Sequence, residues 1–136
     1  MISLLSLLLL TAAGPPGPPP DDPIGSKLFP PELIMQNQQE LGVDDKQRAA
    51  ILKEVEKAQS QILQLQWQLQ AAVEQLGKLL DPPRVDESKA LAQADKVMGL
   101  EREVKRAHLG LLIRIKNLLT DAQRAKLAQI RAKAGP

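Results

Sequence analysis

Along one stretch of this chain, apolar residues recur at alternating spacings of four and three: Ile51, Val55, Ala58, Ile62, Leu65, Leu69, Ala72, Leu76 and Leu79. A 3.5-residue repeat of this kind lines one seam of a helix that packs against another helix. No proline falls between Glu32 and Asp81, and none between Arg84 and Gly135. Pro82 and Pro83 part the two stretches. Beyond them Ala90, Ala94, Val97, Leu100, Val104, Ala107, Leu111, Ile115 and Leu118 form a second stripe, so the chain is expected to return antiparallel. One window disagrees. Gln64 to Gln70 alternates polar and apolar with period two, which is the strand signal. Its Leu and Gln residues are good helix formers, no turn residue bounds it, and the seam passes through in register. The pattern predicts an all-α fold, a long helical hairpin with short flanking helices.

Composition supports this. The chain has 136 residues, 43% apolar but only 1% aromatic, which disfavours a β-sandwich or barrel. It has no Cys and one His. That removes disulfides, thiolate metal sites and a cysteine nucleophile, and it disfavours a serine-type triad. The carboxylate pairs Glu54/Glu56 and Glu101/Glu103 fall on helix surfaces without an implied cleft, so an enzyme is not expected.

Boundary signals divide the chain further. Pro31 suits the first helical position and Gly42 lies past the end of that helix. Asp44 reads as an N-cap with Gln47 three residues on, opening a helix to Leu80 of roughly 55 Å at 1.5 Å per residue. Asp86 can cap the returning helix. In the last helix Thr120 and Gln123 form a capping box, and Leu127 and Ile130 are its expected core contacts. At the other end, Ile2 to Ala13 is an apolar run of about a dozen residues, too short to span a bilayer at ~20 residues. Residues 1–14 therefore read as a signal-peptide-like export segment, with an uncleaved membrane tether as the alternative. Eight of the 11 prolines lie at or before Pro31, so 15–29 reads as a Pro-rich disordered linker and 30–133 as the helical domain. An exported chain without disulfides suits the periplasm.

Leu119-Thr120-Asp121-Ala122-Gln123 matches a Leu-Thr-x-x-Gln motif, and Val43-Asp44-Asp45-Lys46-Gln47 is a degenerate first copy 76 positions earlier. With the hairpin and the export-like segment, this pattern resembles the Spy/CpxP family of periplasmic proteins, from about Phe29 to Ala132. The family motif falls on Val43, Asp44, Gln47, Leu119, Thr120 and Gln123. The resemblance implies a cradle-shaped antiparallel homodimer that acts as an ATP-independent chaperone or envelope-stress modulator. Its ZraP and CnrX-like relatives imply an alternative, a periplasmic heavy-metal sensor or resistance protein. Their His-based ligand sets have only His108 to match here.

No cofactor is expected, and a divalent metal is the one candidate ligand. Its donors would be His108, at about 60° from the centre of the second stripe, with Glu101 and Glu103. Packing at an interface rim is the favoured reading of His108. Met35 and Met98 read as core fillers. From Ala58 to Val73 no residue is charged, although an exposed helix face normally carries charge. Trp67 points away from the stripe, with Leu52 and Leu63 also off it. These three are the expected contact surface for a partner copy or an unfolded client.

Charge is uneven. Residues 1–101 carry 9 basic and 14 acidic side chains, and residues 102–136 carry 9 and 2. Arg102, Lys105, Arg106 and Lys116 fall opposite the second stripe, without interleaved aromatics. A solvated face or a rim that steers clients fits better than nucleic acid.

Overall fold

The computed structural model describes residues 22–134, and every regular element among them is helical. The segments read as export signal and as the first part of the linker, up to residue 21, lie outside the described residues. The elements are α1 (Pro31–Gln36), α2 (Gln38–Leu41), α3 (Asp45–Leu80), α4 (Glu87–Leu118) and α5 (Asp121–Ala134), preceded by a 3-10 turn at Gly25–Lys27. The long pair α3 and α4 forms the expected hairpin, closed by the exposed Asp81–Pro83 break. No helix among the described residues is long and apolar enough to cross a membrane.

Local chemistry sets each boundary. Asp44 accepts a hydrogen bond from the Gln47 backbone N–H at 2.7 Å, and Asp86 accepts one from that of Lys89 at 3.2 Å. Each thereby satisfies an otherwise orphaned donor of a first helical turn. Gly42 closes α2 at φ +68°, a left-handed conformation that costs a residue without Cβ nothing. The single first helix expected from Pro31 to Gly42 is broken at Asn37. That side chain donates to the Leu33 carbonyl at 2.7 Å, taking the acceptor that the next turn of helix would use.

Every residue of the α3 stripe is buried or half-buried, through the Gln64–Gln70 window as well, which is continuous helix. The α4 stripe holds from Ala90 to Ile115 and fails at Leu118, which is exposed. Helix α4 ends there, and Leu119 turns extended (φ −87°, ψ 149°), so its own side chain points inward instead.

The core is concentrated at one end. Phe29, Ile34, Leu41, Ile51, Ala58, Leu111, Ile115, Leu119 and Leu127 form one cluster, with Ile115 and Leu127 wholly buried. This end, built from both hairpin helices with α1, α2 and α5, is the head. Beyond Ala58 the hairpin continues as a two-helix arm whose buried residues are small: Ala72, Ala90, Val97 and Ala107. Small side chains let the helices approach, and Gln93 of α4 reaches across to donate to the Ala72 carbonyl at 2.9 Å.

The helical unit begins before residue 30. Leu28 and Phe29, placed by the sequence reading in a disordered linker, are buried in the head. The Arg131 guanidinium donates to the carbonyls of Gly25, Ser26 and Leu28 and lies over the Phe29 ring at 5.0 Å. Lys116 donates to the Lys27 carbonyl at 2.8 Å and lies 6.0 Å from the same ring. Lys116 is therefore half-buried, unlike Arg102, Lys105 and Arg106, which are exposed as expected. Burial of Arg131 lowers its pKa from the ordinary value, yet a guanidinium keeps its proton.

Candidate functional site: the paired glutamines and the apolar arm

An antiparallel hairpin brings the start of its first helix beside the end of its second. In this chain that juxtaposition unites the two motif copies. Gln47 Nε2 donates to Gln123 Oε1 at 2.6 Å, and Gln123 Nε2 donates to Gln47 Oε1 at 2.9 Å. Each amide also serves the other copy's flank: Gln47 donates to the Leu118 carbonyl at 3.0 Å, Gln123 to the Leu41 carbonyl at 3.2 Å. Those carbonyls close α4 and α2, where helix ends leave acceptors unpaired. Gln123 completes the expected capping box too, since its Oε1 accepts from the Thr120 N–H while Thr120 Oγ1 accepts from the Gln123 N–H. At 7% exposure Gln123 is the one buried polar residue among those described, and its amide is fully partnered. Leu119 is buried and Val43 packs against the same core cluster. The motif residues are thus a clasp that fixes α5 and the α2–α3 corner onto the hairpin. Sequence reasoning found both caps but missed the pairing across 76 positions. The legible signal was an amide at the same place in each copy, because two primary amides can each donate to and accept from the other.

A second constellation lies on the arm. Trp67 is 74% exposed, and Leu63 and Leu52 are exposed as well, so none of the three serves the hairpin seam. Around Trp67 the exposed neighbours Gln64, Gln66, Gln68 and Gln70 are uncharged. Val73 and Leu80 on α3, and Leu91 and Met98 on α4, are exposed too, and the sequence reading had not marked them as surface. Leu91 and Met98 are seven residues apart and share one side of α4. Met98, at 56% exposure, and Met35, at 63%, are not core fillers. The stripe excludes Met98 by its phase, and α1 buries Ile34 rather than Met35. Between the two helices of the arm runs a shallow, polar groove lined by Gln68, Ala71 and Gln75 of α3 and Gln93 and Lys96 of α4.

The candidate metal donors do not converge. His108, Glu101 and Glu103 are all exposed. Seven residues part Glu101 from His108, about 10 Å of axial rise, and Glu103 lies about 140° round the helix from His108. Among the described residues no group of three or more His, Asp or Glu side chains is placed to hold an ion.

Compared with known proteins, the chain matches no family model, no curated protein and no solved structure. What the fold defines is a clasped helical head bearing a thin arm with apolar surface.

Proposed function

We propose that the protein is an exported, periplasmic helper of Spy/CpxP type, which binds partly unfolded proteins without ATP and works as a homodimer. The observation that carries this reading is Trp67, exposed within an uncharged stretch from Ala58 to Val73. Exposed apolar patches rimmed by polar residues mark surfaces that meet other macromolecules. Arg102, Lys105 and Arg106 are exposed on the returning helix and make no ion pair among the described residues. Free cations beside an apolar surface favour encounter with acidic partners and add little to final affinity.

The test is aggregation suppression of an unfolding client protein, run beside light scattering. Wild-type protein is expected to scatter as a dimer at micromolar concentration and to delay aggregation. Trp67→Ala is expected to weaken assembly or client protection by about 2 kcal/mol, the scale of an aromatic hot spot. Helix stability should be preserved, since Ala is the better helix former and the hairpin seam does not use Trp67. A variant that melts early yet assembles and protects normally would overturn the reading. So would a wild-type chain that is monomeric and inert toward clients.

A further inference from the structure

We infer that the outward face of α4 docks on an anionic phospholipid bilayer, a role separate from the proposed client contacts of Trp67. At 100° per residue, the exposed apolar side chains Leu91, Met98, Leu109 and Ile113 fall within one arc of about 100° opposite the seam. The cations Arg102, Lys105, Arg106 and Lys116 fall within the same arc. Between Leu91 and Lys116 its one carboxylate is Asp95, while Glu101 and Glu103 lie about 90° and 110° round the helix from its middle. None of the four cations pairs with a carboxylate among the described residues. The outer side of α3 is different, because Lys46, Lys53 and Lys57 share it with Asp45, Glu56 and Glu74.

Solvation accounts for the cations of this face but not for the apolar side chains among them. A helix that carries both on one side suits the plane of a membrane surface, where the apolar groups enter the headgroup boundary and the cations meet lipid phosphates. The course of the chain points to the same occupant. Lys116 donates to the Lys27 carbonyl at 2.8 Å, so residues 24–27 adjoin the head end of this face, with Ile24 and Lys27 exposed. Eight residues separate Asp22 from Ala13, the end of the apolar run, which is about 30 Å of fully extended chain. A short apolar anchor holds a membrane weakly by itself, and a basic surface beside it makes the attachment stable. Helix α3 packs on the opposite side of α4, which leaves Trp67 clear of the lipid.

The experiment sediments the full chain with vesicles of one part phosphatidylglycerol to two parts phosphatidylcholine, and with phosphatidylcholine alone. Wild type is expected to bind the anionic vesicles roughly tenfold more tightly or better, with the preference lost in concentrated salt. A triple variant, Arg102→Gln with Lys105→Gln and Arg106→Gln, should bind them roughly twentyfold more weakly or worse, at about fivefold per cation. Its control, Lys46→Gln with Lys53→Gln and Lys57→Gln, makes the same change in net charge on α3 and should lose less than about threefold. Leu91→Gln with Met98→Gln should also weaken binding, while Trp67→Ala should leave it unchanged. Circular dichroism should show equal helicity in all of them. Equal binding to neutral vesicles would overturn the inference, as would equal losses in the two triple variants or full binding by the Leu91/Met98 variant. If the α4 triple variant loses client protection and wild type ignores anionic vesicles, the cations serve acidic clients and the bilayer inference falls alone. If Trp67→Ala protects clients normally while the lipid results hold, only the client reading falls.

Discussion

Truncating Ile115 to Ala is expected to lower the unfolding free energy by about 3 to 5 kcal/mol, the range for a large aliphatic side chain removed from a tightly packed site. Ile115 has no exposed surface and sits where α3, α4 and α5 meet the N-terminal segment. Neighbours on several elements cannot collapse into the vacated volume together, so a cavity remains. For a domain of this size the melting temperature should fall by roughly 15 °C. The arm provides the comparison. Val73→Ala, at a half-exposed position outside the seam, should change stability by no more than about 0.5 kcal/mol. Chemical denaturation of both variants gives the answer. Equal losses would mean that the core is spread along the hairpin instead of being gathered in the head.

Gln123→Leu carries the second large effect. The substitution conserves volume but leaves the Leu41 carbonyl, the Thr120 N–H and the Gln47 amide without the partner they now have. Unsatisfied buried groups and a broken cap together predict a loss of roughly 2 to 4 kcal/mol. Gln47→Leu should cost less, because Gln47 is only half-buried and water can reach the Leu118 carbonyl that it serves. Once either amide is gone the other has lost its reciprocal partner, so the double variant should lose less than the two single losses combined. Strict additivity, measured as a double-mutant cycle, would show that the two amides do not act as a pair.

Much of this was written in the sequence. The seam from Ile51 to Leu79 was legible because a 3.5-residue repeat keeps its apolar residues on one side of a helix, and Asp44, Asp86 and Thr120 were legible because capping is local chemistry. What escaped detection was whatever depended on distant segments meeting. Nothing near Phe29 marks it as buried; it is buried because Arg131, 102 positions later, holds the carbonyls around it and covers its ring. The break at Asn37 is a competition between side chain and backbone that periodicity does not register. Met98 was misread by residue type, although its phase already set it off the stripe. Of the exposed apolar residues of the arm, Trp67, Leu63 and Leu52 could be phased from α3 alone. The exposed part of α4 was lost among ordinary surface positions.

The lopsided placement of the core has a mechanical side. Trp67 stands about 33 Å along α3 from its first residue, and the tip at Leu80 about 53 Å, at 1.5 Å per residue. The 3-10 turn that begins the described chain and the helix that ends it are tied together at the head through Arg131. Anything that grips the molecule by those ends holds it at the densely packed head, with the exposed surface around Trp67 set apart by the length of the hairpin. The continuous helices α3 and α4 are the ruler that sets this separation.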